Sequence, residues 1–401
     1  MSQHRNLAPT LSALFAWLCV VLPGPQVKAQ ACEEYGKPSL LGELQEAQVD
    51  ESSGLVRSQL NPGVLWTHND SGDDARLYAF TQDARYLGRW DLIGAPSVDW
   101  EDLALGPCEA GAALRCLYIG DIGNNNRNRD NLSVIRVQEP LLDVDALLAS
   151  PASENINAFE IFPFTYSDGN WDAESLLVDP LSAELYIISK VQVGSSVLYR
   201  FPALRNGEAH TLEALAQRSF GAIPILEQST TGADFSHDGA RFVVRTYAYL
   251  YVFELGEERD LPKVFEGEVL SAKVRNEDQG EAVCFGNDDV TLWTTSEGHP
   301  MPLQAYGCAE EPVLEPESEE LVPDSAEPDP LEPAPDAAEL EPLDELNAEL
   351  APPAPDTNPA PQSSSGTSNG CCALARVPSR SDGAALGSFL LVLSALLVRR
   401  G

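Results

Sequence analysis

The chain has 401 residues, 62 Asp+Glu against 25 Lys+Arg, and a formal net charge of −37. Its length leaves room for about two domains, and a hydrophobic fraction of 43% excludes a wholly disordered chain. So negative a balance excludes nucleic acid as a partner, because that affinity comes from Lys and Arg neutralising phosphates.

The charge is not spread evenly. Residues 309–370 hold 17 acids and no Lys or Arg, the first 31 residues carry +2 and the last 31 carry +3, which leaves −25 on residues 32–308. Residues 1–31 have the parts of an export signal. Arg5 lies in a short polar start, Leu11 to Leu22 is apolar, Pro23-Gly24-Pro25 breaks the run, and Ala29-Gln30-Ala31 offers small residues before a cut at Cys32. The apolar run is too short for a spanning helix, which needs roughly 20 residues.

Residues 32–308 repeat one grammar: an acid, a short apolar strand, a turn, then a β-branched and aromatic strand. The opening acids are Glu51, Glu101, Glu174, Asp234 and Glu281, spaced by 50, 73, 60 and 47 residues. The turns are Asn61-Pro62-Gly63, Gly106-Pro107, Asp179-Pro180, His237-Asp238-Gly239 and Gly286-Asn287-Asp288. The second strands end at Asp70, Asp121, Lys190, Arg245 and Glu297. Third strands follow most of these, and fourth strands are expected near 86–92, 158–166, 212–219 and 263–266. A repeat of this length in an all-β pattern predicts a propeller. Five four-stranded blades are expected, the last completed by residues 41–49; six is the alternative, since the 73-residue gap has room for another repeat.

Cys32 and Cys308 then meet at the closure, and Cys108 and Cys116 flank a hairpin tip, so both pairs are expected disulfides in an exported protein. Cys284, inside an apolar strand, reads as a buried thiol.

In an antiparallel meander, the start of strand one and the end of strand two share one end of the blade. The opening acids and the strand-two ends are therefore expected on one rim, around a central channel. Carboxylates crowded there need a neutralising partner, and Ca²⁺ suits oxygen donors in flexible geometry. Glu51, Glu101, Glu174, Asp234, Glu281 and Asp121 are the expected metal ligands, with Lys190, Arg245 and His68 disposed to hold an anionic substrate. The competing reading is that the acids cap strands or bond neighbouring backbone. No nucleophile elbow is present in this body, and the calcium-loop-like run Asn69–Asp74 lacks the closing Glu of a helical-hand loop.

Residues 309–370 contain 13 of the chain's 30 prolines and no aromatic residue. Such a segment cannot bury enough apolar surface to order itself, and reads as an extended acidic linker or stalk. Residues 371–401 hold Cys371-Cys372, a spacer, the apolar run Ala384 to Val398 and Arg399-Arg400. This segment resembles the C-terminal sorting tails of myxobacterial surface proteins. The resemblance implies export, processing by surface-sorting machinery near Cys371 or Cys372, and display at the cell surface. A plain membrane anchor and secretion after tail cleavage are the alternatives.

The acid-led inner strands followed by Leu117–Gly120 and Leu185–Ile188, with Glu101, Glu174 and Glu281, resemble secreted propellers of the calcium-dependent phytase, gluconolactonase and calcium-activated apyrase types. The resemblance implies a calcium-centred channel and hydrolysis of a phosphate ester or related ester. A non-catalytic module recognising a glycan or a protein is the alternative, since propellers host unrelated functions.

Overall fold

A computed structural model describes residues 31–309 except Asn276, Asp278 and Pro300. Residues 1–30 and 310–401, which carry the expected export signal, acidic linker and sorting tail with Cys371 and Cys372, lie outside the described residues. Among the described residues no helix is long and apolar enough to cross a membrane.

The architecture is all-β with two six-residue helices. In chain order the strands are β1 (Ser39–Leu44), β2 (Ser52–Arg57), β3 (Val64–Asn69), β4 (Arg76–Thr81), β5 (Tyr86–Leu92), β6 (Trp100–Pro107), β7 (Arg115–Asp121) and β8 (Ser133–Gln138). Helix α1 (Val144–Ala149) precedes β9 (Ala152–Ile156), β10 (Glu160–Tyr166), β11 (Asp172–Val178), β12 (Leu185–Lys190), β13 (Ser196–Arg200) and β14 (His210–Arg218). Then come β15 (Thr230–Phe235), β16 (Arg241–Thr246), β17 (Tyr249–Glu254), α2 (Leu261–Glu266), β18 (Leu270–Lys273), β19 (Gly280–Phe285), β20 (Leu292–Ser296) and β21 (Met301–Tyr306).

The sheets are ordered β2-β3-β4-β5-β9, β15-β16-β17-β18, β1-β21-β20-β19 and an eight-stranded β11-β12-β13-β14-β10-β8-β7-β6. Within each run, consecutive strands pair antiparallel. The eight-stranded sheet is continuous only because β10 pairs in parallel with β14, Phe164 opposite His210. A second parallel pair joins β5 to β9, and Gly88 permits it: with φ of 147°, its missing Cβ would lie 2.6 Å from the Ala152 nitrogen.

Burial explains why these sequences become these strands. The first strand of each run is buried along nearly its whole length, β6 over all eight residues, because both of its faces are covered. The outer strand β14 alternates buried and exposed residues instead. The inner strands pack in succession, β2 on β6, β6 on β11, β11 on β15, β15 on β19, and β19 back on β2. The core is accordingly divided, with each apolar cluster wedged between two adjacent runs. Trp66, Trp90, Trp100 and Leu117 share one cluster, Phe162, Tyr199, Tyr118 and Leu176 another, and Phe242, Phe253 and Phe265 with Ile188 a third. Leu55, Phe80, Trp293 and Leu303 lie between the first and last runs.

Strand β1 pairs with β21, Leu44 opposite Met301, so the start of the domain completes its last sheet. The Cys32–Cys308 disulfide fastens that join, and Cys108–Cys116 fastens the tip between β6 and β7. Cys284 is buried and free. One expected strand is replaced. Residues 263–266 fall in α2, where the Asp260 side chain accepts a bond from Lys263 N at 3.2 Å and Leu261 and Phe265 are buried. The strand role passes to β18, which pairs with β17.

Candidate functional site

Each inner strand carries a bulge at the same place. Pairing skips one residue between Ser52 and Gly54, Trp100 and Asp102, Ala173 and Ser175, Thr230 and Gly232, and Gly280 and Ala282. The skipped residues are Ser53, Glu101, Glu174, Thr231 and Glu281, all buried. A bulge re-aims its extra side chain. The two hydroxyls bond the next inner strand: Ser53 Oγ donates to Glu101 O at 2.5 Å, and Thr231 Oγ1 to Gly280 O at 3.1 Å. The three glutamates instead face one another electrostatically.

Burial raises the Glu101 carboxyl well above its ordinary value, and Glu174 and Asp70 raise it further. Burial does the same to Glu174, and Lys190 opposes the rise while Glu281 adds to it. Glu281 is pushed by burial to about 7 despite Lys190 and Arg245. Asp70 reaches about 6 and Glu297 about 8, again led by burial, with Asp99 and Glu51 acting on the former and Glu281 and Asp70 on the latter. Lys190 donates to Glu174 and, at 3.1 Å, to the Tyr247 hydroxyl. Burial alone would lower its ammonium, but Glu174, Tyr247, Glu281 and Glu101 outweigh that and raise it well above its ordinary value.

Lys190 is the cation shared by these carboxylates, with Arg245 acting on Glu281 and Arg129 on Asp99. Glu174 Oε2 and Glu281 Oε2 are buried with no hydrogen-bond partner among the described residues, each in a residue only 4% exposed. One oxygen each from Asp70, Asp99 and Glu101 lie within 4.8 Å of one another. Atoms bound to one Ca²⁺ at 2.3–2.6 Å are at most about 5 Å apart, so these three fit a single ion. The donors are all carboxylate oxygens, which suits a hard cation and not a thiolate- or imidazole-seeking metal.

The expected residues divide. Glu101, Glu174, Glu281 and Lys190 come together. Glu51 does not occupy the bulge, which falls two residues later on Ser53; Glu51 is exposed and its backbone bridges Glu297. Asp234 lies three residues beyond the Thr231 bulge, buried, with Oδ2 accepting from Phe285 N at 2.9 Å. It is not with the cluster, and is instead pushed by burial to about 8. Asp121 pairs with Arg129 at 2.8 Å and accepts from Asp99 N at 2.9 Å, both through Oδ1, so it holds the segment that carries Asp99, while its buried Oδ2 has no hydrogen-bond partner among the described residues.

Two of the expected anion-binding residues are also placed elsewhere. Arg245 is fully buried against Glu277 at 2.5 Å and donates to Ala282 O and Thr295 O. Its two terminal guanidinium nitrogens are taken up by Glu277, β19 and β20. His68 has no exposed surface; Nδ1 lies 2.8 Å from Asn69 O, the ring meets Trp100 edge-on at 5.5 Å, and burial keeps its pKa down to about 4. It is a core residue.

Sequence reasoning did not assign Asp99 as a ligand, although it stands two residues before Glu101. It also passed over Arg127, Trp171 and Tyr247 beside the cluster. Their only sequence signal is their place in the loops that follow the second strands and precede the third inner strand.

No family model matches the chain, and no curated protein matches it. Among solved structures it is similar to an auxiliary nutrient binding protein from Bacteroides thetaiotaomicron, at 10% identity and a TM-score of 0.34, over 68% of this chain and 60% of that one. The chain thus spans about three-fifths of that protein's length, and a likeness this low bears on neither fold family nor function.

Proposed function

We propose that residues 32–308 form a five-bladed β-propeller whose channel mouth binds a divalent cation, Ca²⁺, and presents it to a small ligand at the cell surface. The cyclic packing of β2, β6, β11, β15 and β19 supports the five-bladed reading, as does the wedging of each apolar cluster between neighbouring runs. Residues 1–31 serve as the export signal, 309–370 as the stalk, and 371–401 as the sorting tail.

One observation carries the cation site. Three glutamates are brought by bulges into one buried cluster, two of them with an oxygen that has no hydrogen-bond partner among the described residues, and Asp70 and Asp99 complete it, with Lys190, Arg245 and Arg129 in opposition. Buried carboxylates in such excess are costly unless a cation or protons neutralise them. A bound cation would also supply charge with which to fix an anionic group of the ligand.

Calorimetric titration of the full-length protein with CaCl₂ tests this. A saturable heat and a higher melting temperature, reversed by EDTA, are expected. A flat titration with an unchanged melting temperature overturns the reading. Release of product from a phosphate or carboxylic ester in the same samples would extend it to hydrolysis, and binding without release would leave it a ligand-binding module.

A further inference from the structure

Beside the carboxylate cluster lies a cavity of about 480 Å³, whose lining includes Arg127, Lys190, Tyr247, Asp172, Val193 and Ile225. That volume matches a compact small molecule. Two of its walls are held in strained backbone. Arg127 has φ of 52° and Ile225 φ of 66°, the left-handed region that non-glycine residues avoid and that is rarest for β-branched ones. Strain of this kind persists only where surrounding structure enforces it.

Asn124 enforces it for Arg127. Its carbonyl accepts from Arg127 N at 2.7 Å, and its side-chain oxygen accepts from Asn128 N and Arg129 N, both at 2.9 Å. Its amide nitrogen donates to Asn170 and Trp171 O. The Arg127 guanidinium stacks 4.8 Å from the Trp171 ring and makes no ion pair among the described residues, although Arg127 is exposed in a strongly acidic domain. For Ile225, the backbone N–H donates to Gln192 O at 2.9 Å, so the two segments that carry Val193 and Ile225 are tied together. Both side chains stay open to solvent, Val193 at 71% and Ile225 at 45%. The cavity therefore has one wall on which Arg127 and Lys190 flank the Asp172 carboxylate and one apolar wall, each fixed in place.

We propose that this cavity binds a small oxyanion carrying an apolar substituent, with Arg127 and Lys190 on the anion and Val193 and Ile225 on the substituent. The inference rests on the cation-site reading, because the cation neutralises the carboxylates that would otherwise repel the anion. Planar guanidinium donors suit phosphate and carboxylate alike, and the shared chemistry is an oxyanion beside an aryl or alkyl group.

The test is calorimetry on the full-length protein, first with CaCl₂ alone and then, in saturating calcium, with phenyl phosphate, benzoate and inorganic phosphate. Phenyl phosphate or benzoate is expected to bind more tightly than inorganic phosphate, and which of the two wins identifies the oxyanion. Arg127→Gln is expected to weaken the aryl anion and inorganic phosphate alike by about tenfold or more. Ile225→Ser, and Val193→Ser as a second variant on the same wall, should weaken the aryl anion about fivefold and leave inorganic phosphate unchanged. Calcium binding with no anion binding overturns this inference alone; no calcium binding overturns both readings. Anion binding indifferent to Arg127→Gln in a variant of unchanged melting temperature also overturns it.

Discussion

Glu101 and Asp102 are adjacent in β6 and put their carboxyl groups to different tasks. Glu101 sits in the bulge and faces the acid cluster, whereas Asp102 Oδ2 accepts from Leu176 N at 2.7 Å and Ala233 N at 3.0 Å, on β11 and β15. Its Oδ1 takes Leu103 N at 2.8 Å. One buried carboxylate thus ties three inner strands together, and the neighbouring one is left for a ligand.

That division predicts opposite responses. Asp102→Ala strands three buried N–H donors and should cost about 3 kcal/mol or more, since each unsatisfied buried donor costs about 1–3 kcal/mol. Asp102→Asn keeps one acceptor oxygen and should cost less. Urea denaturation of both variants checks the order.

Glu101→Gln removes one of the crowded like charges without changing shape. In EDTA the variant should melt at the same temperature as the parent or higher, because the repulsion with Glu174 and Asp70 is relieved. In calcium it should gain less, and its calcium affinity should fall about tenfold or more. Thermal melts with and without calcium check both signs, and a calcium response equal to the parent's would remove Glu101 from the ligand set.

Asp234 makes stability depend on pH. Its folded-state pKa, raised by burial to about 8, lies above the ordinary carboxylate value of 3.8. The native state therefore holds the proton that the unfolded state releases between those values. Its contribution is fully present below pH ~4 and is lost as pH rises through about 8, at up to about 1.4 kcal/mol per pH unit. Asp234→Asn should flatten that part of the pH profile and raise stability at pH 8. Urea midpoints at pH 5, 6.5 and 8 (on the order of those bounds) check it.

The two disulfides should differ in worth. Cys32 and Cys308 are 276 residues apart and Cys108 and Cys116 are 8 apart. On the chain-entropy account the long loop contributes about 5.6 kcal/mol and the short one about 2.5 kcal/mol. Denaturation of the Cys32→Ser/Cys308→Ser and Cys108→Ser/Cys116→Ser proteins should show that order.

Much of the strand pattern was legible because β-branched and aromatic runs alternate with Gly, Pro, Asn and Asp turns over residues 48–306. The acids at Glu101, Glu174 and Glu281 were legible as a set for the same reason. Glu51 and Asp234 stand off the bulges because an acid near the start of a strand says nothing about which residue is squeezed out of register. The bulge falls on Ser53 and Thr231, which carry no charge to advertise it. Arg245 read as a rim cation because its partner, Glu277, lies 32 residues away on a segment with no strand signal. His68 read as an anion-holding residue because a strand's end looks exposed in sequence, yet Trp100 from the next run covers it. The parallel pairs β5–β9 and β10–β14 join segments whose partners no local pattern names.

The pairing of β1 with β21 also sets a clock. Residue 39 has no sheet to join until residue 305 has been synthesised and delivered. Until then the first strand waits as bare chain while its partners-to-be are still on the ribosome. Contacts separated so far in sequence form slowly, so the domain reaches its final state only after its last strand is released.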